Sequence, residues 1–186
     1  MKVPYTWLNE LVEINKPIHE ISEALSIAGF EVESVEDFAT RAYGVVVGFI
    51  EEFEKHPQAD RLNICRVNIG TKDIYQIVCG APNVRKGVHV LVAPPGAFLS
   101  AKGLKIKSTK LRGIKSDGMI CSLSELGIYD ETNGIAILED INVDIPDIGS
   151  SILELFGLDE SVLDIAITAN RPDGMSMVGI AREVSA

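Results

Sequence analysis

Residues 56–70, HPQADRLNICRVNIG, join a turn to an apolar strand and give the clearest indication of the fold. Pro57 fixes its own φ and holds His56 in an extended conformation. Asp60 can accept hydrogen bonds from the amides that follow it, as in an Asx-type turn. The stretch therefore predicts a tight turn that feeds a strand, although the same position would also suit the rim of a binding site.

The strand after this turn changes its pattern halfway along. Because side chains alternate between the two faces of a strand, Leu62 and Ile64 share one face. Val67 and Ile69 fall on the other face. A bulge near Cys65 and Arg66 would bring all four apolar side chains into one core, so we expect a strongly bent strand.

Residues 44–140 are predicted to be mostly β-structure. Short apolar segments follow one another there, separated by Gly, Pro and Asn. This spacing is typical of a small barrel or sandwich, and a strongly bent early strand favours a five-stranded OB barrel. One segment differs, since Ser122 with Glu125 three residues later predicts a short capped helix over residues 122–126.

The two ends of the chain have a different character. Residues 1–40 are predicted to form a strand, a helix and a strand, with Pro17 opening the helix and Gly29 closing it. Residues 150–186 are predicted to form a short helix, a strand and a final helix that Asp173 can cap. Because neither Gly nor Pro closes that last helix, we expect the chain to be a piece of a longer protein.

The composition is that of an ordinary soluble protein, with 46% apolar and 24% charged residues in a chain of 186. No apolar run approaches the ~20 residues that a membrane span requires, and we expect no membrane partner. The start lacks the apolar core of a signal peptide, so we expect a cytoplasmic protein.

The net charge of −10 hides a basic middle. Residues 41–118 carry a net charge of +7, whereas residues 1–40 and 119–186 carry −6 and −11. Between residues 85 and 115 there are eight Lys and Arg and no Asp or Glu. A basic segment between acidic flanks points to an anionic partner of that segment.

The sequence contains no motif of a nucleophilic, zinc-dependent or phosphate-cradling active site. The three histidines lie apart, without an obvious acid or nucleophile as partner. The three cysteines, an odd number without CxxC spacing, are interpreted as reduced thiols that pack as small apolar side chains, with a metal or redox site as the alternative. We therefore expect no catalytic, cofactor-binding or metal-binding residues in this chain.

The basic segment contains an alternating pattern. Lys105 and Lys107 flank Ile106, so alternation places both lysines on the face opposite Ile106. The same spacing recurs around Leu111. The pattern predicts one face in the core and a row of cations on the other, as a phosphate backbone would require, although a merely solvated strand face remains the alternative.

Aromatic residues do not form a recognisable row in the sequence. The candidates for base stacking are scattered, at Phe49, Phe53, Tyr75 and Phe98. We therefore expect recognition of the backbone and shape of a folded RNA rather than of a single strand.

Several motifs resemble those of bacterial phenylalanyl-tRNA synthetase β subunits, in matching order and over essentially all of the chain. These motifs are HPQADRLNICRVNIG, QIVCGAPNV, LKIKSTKLRGIKSDGMICSLSELG and ITANRPDGMSMVGIARE, with MKVPYTWLNELVEI and AGFEVESVE near the start. The middle alone is similar to a wider group of OB-fold tRNA-binding modules, which are also appended to methionyl-tRNA synthetases or occur as free-standing proteins. Where the family commonly has Cys and Leu, this chain has Gly174 and Met175.

The resemblance implies an α+β fold in which a five-stranded OB-type β-barrel is inserted into a small discontinuous α+β domain. Residues 41–150 would form the tRNA-binding barrel, and residues 1–40 and 151–186 would form the two segments of the other domain. Basic residues in matching motifs are the implied RNA contacts: Lys55, Arg61, Arg66, Arg85, Lys86, Lys105, Lys107, Lys110, Arg112 and Lys115.

The resemblance also implies a partnership and an activity for the complete enzyme. That enzyme would be a cytoplasmic α2β2 class II synthetase that uses ATP and Mg²⁺ to esterify phenylalanine to tRNA(Phe), with the aminoacylation site on the α subunit. Editing and anticodon contacts would belong to later parts of β, and no DNA partner is implied. Two alternatives stay open, a free-standing tRNA-binding or chaperone-like OB protein and a structural module with little RNA contact.

Overall fold

The computed structural model describes residues 1–186, which divide into two compact units. One unit combines Met1–Ala39 with Asp159–Ala186, and the other is Thr40–Leu158, called the barrel unit below. The strands, in chain order, are β1 (Lys2–Pro4), β2 (Glu31–Asp37), β3 (Val46–Lys55), β4 (Asn63–Asn68), β5 (Tyr75–Cys79), β6 (His89–Ala93), β7 (Phe98–Leu99), β8 (Leu104–Lys105), β9 (Thr109–Leu111), β10 (Ile114–Ser116), β11 (Met119–Ile120) and β12 (Ser161–Ala166). The helices are α1 (Tyr5–Leu11), α2 (Ile18–Ile27) and α3 (Met177–Val184).

The barrel unit is built on a five-stranded antiparallel sheet in the order β11-β6-β3-β4-β5. Hydrogen bonds link its two outer strands through the residues that precede β11. The Asp117 amide donates to the Gln76 carbonyl (2.7 Å), and the Val78 amide donates to the Ser116 hydroxyl (3.0 Å). The sheet is therefore a nearly closed barrel, and the predicted OB-type α+β fold is confirmed.

The bend of the barrel lies in β3. The register between β3 and β4 shifts between Ile50 and Glu52, which face Val67 and Arg66. The bulge was predicted in β4 near Arg66, and it occurs at the facing position of the neighbouring strand β3. Gly48 lies just before it, and a Cβ there would come within 2.5 Å of the Val92 side chain, so the strand passes too close to the core for any larger residue.

The strand β4 keeps a regular alternation because the bulge lies in its neighbour. Cys65, Val67 and Ile69 belong to the barrel core. Ile64 is buried on the opposite face, and Leu62 is only half-buried. The expectation of a core position was therefore wrong for Leu62. Ile64 is buried as expected, but it does not share one face with Val67 and Ile69.

The basic segment forms a hairpin rather than one continuous strand. Chain reversal between β9 and β10 occurs at Arg112 and Gly113, which both have positive φ (48° and 84°), as a two-residue hairpin loop requires. Ile106 is buried as predicted, whereas Leu111 is 42% exposed. The prediction of a core position for Leu111 was wrong, because its side chain stays exposed on the hairpin.

The segment 122–126 forms turns instead of the predicted helix. The capping bonds are nevertheless present, since the Ser122 amide donates to the Glu125 carboxylate (2.7 Å) and the Glu125 amide donates to the Ser122 hydroxyl (3.2 Å). The capping pattern was correct, but the chain turns away before a helix can extend from it.

The other unit packs three helices with an antiparallel sheet in the order β1-β12-β2. The first helix, α1, was not predicted, whereas α2 begins after Pro17 and ends before Gly29 as expected. The predicted helix at the start of residues 150–186 lies in the barrel unit and is reduced to a short 3-10 turn, Glu154–Phe156. Ser176, not Asp173, caps α3 by accepting a hydrogen bond from the Gly179 amide (3.0 Å).

Arg171 binds the NRPDG turn to its surroundings. Its guanidinium forms ion pairs with Asp173 (2.9 Å) and Glu183 (2.6 Å) and stacks over the Phe30 ring (4.1 Å). The same ring occupies the space beside Gly174, where a Cβ would lie 2.2 Å from it. The position of the Phe30 ring therefore leaves no room for a side chain at residue 174, where the synthetase β subunits commonly have Cys.

Candidate nucleic-acid interface

Three cations of the barrel unit lie on the hairpin β9–β10, called the cationic hairpin below. Lys110 in β9 lies directly opposite Lys115 in β10, and Arg112 occupies the turn between them. All three side chains are exposed. Like charges at facing positions of an antiparallel pair destabilise it, so this arrangement favours an anionic ligand over a bare hairpin.

Lys115 is partly compensated within the chain. Its ammonium lies 2.9 Å from Asp117, and this hydrogen bond holds the pKa of the Asp117 carboxyl below its usual range. Lys110 and Arg112 form no ion pair in the structure. These two cations therefore remain available to an external anion.

His56 joins the turn before β4 to the cationic hairpin. It is only 4% exposed, its Nδ1 accepts a hydrogen bond from the Gln58 amide (3.1 Å), and its Nε2 lies 3.3 Å from the Leu111 carbonyl. Since Nδ1 acts as an acceptor, the proton of the neutral ring is on Nε2, which donates to Leu111. The sequence predicted that the Asp60 side chain accepts the hydrogen bonds of this turn. In the structure, the His56 side chain accepts a hydrogen bond from the turn instead.

This contact brings together cations that are distant in the sequence. Lys55 precedes His56 and Arg61 closes the same turn, where the His56 amide donates to the Leu62 carbonyl (3.0 Å). Both cations are exposed. The turn and the hairpin thus form one basic region around His56.

A cleft of about 900 Å³ lies beside the hairpin within the barrel unit. Lys102, Lys105 and Lys107 border it, together with Thr109, Leu111 and Ser116 of the hairpin. Lys102 was not among the predicted RNA contacts, although it belongs to the same acid-free run. Its position in the short 3-10 turn Ser100–Lys102, which precedes Gly103, could not be read from strand alternation.

The cleft also contains a hydroxyl network around one carboxylate. Glu125 accepts hydrogen bonds from the amide and hydroxyl of Ser122 (2.7 and 2.8 Å), and Ser124 contacts both Ser122 (3.1 Å) and Thr132 (3.0 Å). All four side chains border the cleft. The cleft thus offers cations, hydroxyl groups and one carboxylate, whose acceptor sites are partly occupied by Ser122, and this suits a ligand with phosphates and hydroxyls.

The remaining predicted contacts lie elsewhere. Arg85 forms an ion pair with Asp140 (2.7 Å), which holds the pKa of that carboxyl below its usual range, and Arg66 lies 3.7 Å from Glu52. Arg66 and Lys86 line a separate cavity of about 440 Å³ that also contains Glu52 and Glu54. These cations have acidic neighbours, unlike Lys110 and Arg112 of the hairpin.

One histidine does have an acidic partner, contrary to the sequence expectation. His89 Nδ1 lies 2.8 Å from Glu139, which also accepts the His89 backbone amide (2.9 Å). The two residues are separated by 50 positions, so no local sequence pattern indicates the pair. Neither side chain borders the cleft.

The three cysteines are free and buried. Burial raises the pKa of the Cys65 and Cys121 thiols to about 12, so they are protonated at neutral pH. No group of three or more His, Cys, Asp or Glu side chains is placed to hold a metal ion. None of the helices has the length and apolarity needed to cross a membrane.

Residues 45–144 match the model of the family described as "Putative tRNA binding domain". The chain belongs to this tRNA-binding-domain family. The matched range contains the cationic hairpin, the cleft and all ten predicted contact residues.

Curated relatives extend the similarity beyond the tRNA-binding domain. Over its whole length, the chain is 57% identical to the phenylalanine–tRNA ligase β subunit of Prochlorococcus marinus and 50% identical to that of Gloeobacter violaceus. The aligned region covers 23% of each of these subunits. The chain therefore spans about a quarter of the length of these relatives, and the resemblance to the N-terminal region of this subunit is confirmed. Among solved structures, the C-terminal domain of Plasmodium vivax p43 is matched with 26% identity over 61% of each chain and a TM-score of 0.41.

Proposed function

We propose that the barrel unit binds tRNA through the cationic hairpin and the adjoining cleft. The observation that carries this proposal is the facing pair Lys110 and Lys115 with Arg112 between them, in a tRNA-binding-domain family member. Each phosphate that a Lys or Arg neutralises releases counterions, which supplies the affinity. The OB-type barrel, predicted over residues 41–150, would be the tRNA-binding domain. The other unit, predicted over residues 1–40 and 151–186, would be the discontinuous α+β domain, and its second segment begins at Asp159 in the structure.

The ten predicted contacts differ in their availability. Lys55, Arg61, Lys105, Lys107, Lys110 and Arg112 would meet phosphates directly. Lys115 would also contact a phosphate, while its ammonium keeps its ion pair with Asp117. Arg66, Arg85 and Lys86 would contribute less, because nearby carboxylates offset their charge.

We further propose that the chain serves a phenylalanine–tRNA ligase as a noncatalytic part of its β subunit. Its similarity to these subunits supports a role in the ATP-dependent aminoacylation of tRNA(Phe) by a cytoplasmic α2β2 enzyme. The α subunit would be the protein partner, and ATP and Mg²⁺ would act at a site outside this chain. The hairpin and cleft would hold tRNA while chemistry occurs elsewhere.

Titration with tRNA(Phe) at increasing salt tests the RNA-binding proposal. We expect measurable binding at about 20 mM salt that weakens steeply as salt rises. Reversing the charges of Lys105, Lys107, Lys110 and Arg112 should lower the affinity by about 10-fold or more without unfolding the barrel. Binding that is absent at low salt would contradict the proposal.

A matched variant separates a local contact from a change in net charge. The pair Lys110→Glu and Arg112→Glu should weaken binding much more than the pair Lys16→Glu and Lys72→Glu, which alters net charge by the same amount outside the hairpin and cleft. Equal losses of affinity in the two double variants would favour a structural module whose surface cations are merely solvated and do not contact RNA. The ion pairs of Arg66 and Arg85 are the observations that favour this second candidate.

A further inference from the structure

Two exposed aromatic side chains and a lysine form a single row across the barrel unit, called the aromatic row below. Phe98 in β7 lies opposite Lys105 in β8, and Tyr43 pairs with Phe98 from the other side. The Phe98 amide donates to the Tyr43 carbonyl (3.1 Å), which fixes this second pairing. Since facing residues of an antiparallel pair project from the same face, the three side chains stand side by side.

The aromatic rings of this row are exposed. Tyr43 is 67% exposed and Phe98 is 39% exposed, although Leu99, the next residue, is fully buried. The backbone therefore places Phe98 outside the core while its neighbour packs inside it. Exposed aromatic area of this kind marks a surface that a ligand covers.

The charge around the row indicates the kind of ligand. Lys105 belongs to the row itself, and Lys102 and Lys107 lie within three residues of it along the chain. All three lysines border the cleft. An apolar protein partner gains nothing from three lysines at its edge, whereas a nucleic-acid strand offers bases to the rings and phosphates to the ammonium groups.

We propose that the aromatic row stacks unpaired bases of an RNA strand. This inference rests on the proposed function and narrows its substrate, because a base that is paired inside a duplex does not present its face to an exposed ring. The site would thus combine phosphate contacts at the hairpin and cleft with stacking at Tyr43 and Phe98. It differs from the sequence expectation of backbone and shape recognition alone, since Tyr43 and Phe98 lie 55 residues apart and only β-pairing joins them.

The test compares a single-stranded RNA oligonucleotide containing 2-aminopurine with an RNA duplex of the same length. We expect Tyr43→Ala and Phe98→Ala each to weaken single-strand binding by about 5- to 30-fold, and to reduce the quenching of 2-aminopurine that stacking causes. Duplex affinity and the salt dependence of binding should stay unchanged, because neither substitution removes a charge. Lys105→Ala should instead lower the salt dependence for both ligands.

Two controls keep the result interpretable. Tyr129→Ala removes another exposed tyrosine of the barrel unit, 60% exposed, and should leave both affinities unchanged. Tyr43→Phe and Phe98→Tyr keep the rings and should retain single-strand binding, which separates stacking from misfolding. The inference is overturned if Tyr43→Ala and Phe98→Ala leave single-strand binding intact, as a protein-docking face would, or weaken both ligands equally. In either case, salt-dependent tRNA binding that the hairpin variants abolish would still support the proposed function.

Discussion

His56 shows how one buried side chain can decide the geometry of a basic surface. Sequence alone predicted the turn around Pro57 correctly, since proline restricts both itself and the preceding residue. It could not show that the imidazole reaches Leu111, because that carbonyl is 55 residues away. The sequence pattern therefore predicts the place of His56 in the turn but not its contact with Leu111.

Two substitutions of His56 separate its two hydrogen bonds. In His56→Asn, the side-chain oxygen can still accept the Gln58 amide, but the shorter side chain does not reach Leu111. In His56→Gln, the longer amide can still donate to the Leu111 carbonyl. We expect the Asn variant to lower tRNA affinity by about 5-fold and the Gln variant to stay near the wild-type value.

Hydrogen exchange at the hairpin amides provides the matching structural measurement for the His56 variants. Exchange should speed up in His56→Asn, with the five-stranded sheet unaffected, and should change little in His56→Gln. A folded Asn variant with a loosened hairpin and undiminished tRNA binding would show that this contact does not position the RNA site.

The cationic hairpin is the element that the sequence described least well. Its residues alternate between basic and apolar, as in a continuous half-buried strand, and the turn at Arg112 and Gly113 lacks the Asn-Gly or Asp-Gly pair that usually announces a two-residue loop. The alternation was real, but no sheet covers Leu111. The basic character of the segment could be predicted. Its chain reversal could not, because it depends on the positive φ of Arg112, which the residue type does not indicate.

Replacing Lys110 by Glu should separate the stability of the hairpin from its function. The facing pair would change from Lys–Lys to Glu–Lys, so repulsion becomes attraction. We expect the hairpin amides to exchange about 1.5- to 5-fold more slowly, while tRNA affinity falls. Lys110→Gln, which removes repulsion without adding attraction, should lie between the wild type and Lys110→Glu in both measurements. Faster exchange in Lys110→Glu would contradict this account of the hairpin.

Across the whole molecule, composition predicted where the cations are but not which of them are free. The acid-free run from residue 85 to 115 marked the barrel unit as the basic part of an acidic chain. Yet Arg85, the first cation of that run, forms an ion pair with Asp140, whereas Lys110 does not. Ion pairs join residues that folding brings together, so charge counting along the sequence overestimates the available positive surface.

The same ion pairs determine how both units respond to acid. Hydrogen bonds from Lys115, Arg85, Lys2 and Arg171 hold the pKa values of Asp117, Asp140, Asp164 and Asp173 below their usual range. A carboxyl group whose pKa is lower in the folded state contributes stability above the pKa of the unfolded chain, about 4, and loses it as pH falls further. The contribution of these groups to the free energy of unfolding should therefore change little from pH 7 to about 5 and then decrease below about 4.

Urea unfolding at a series of pH values tests this acid response in paired variants. Asp140→Asn removes the partner of Arg85 and should make the decrease below pH 4 shallower, because one group that binds a proton on unfolding is gone. Asp144→Asn removes an exposed carboxylate that has no ion pair and should leave the curve parallel to that of the wild type. The pair of Asp140 with Arg85 is exposed, so added salt screens it. The difference in pH dependence between the Asp140→Asn and Asp144→Asn variants should therefore shrink as salt is added. Parallel curves for Asp140→Asn and the wild type would mean that the pair with Arg85 adds nothing to the stability of the barrel unit.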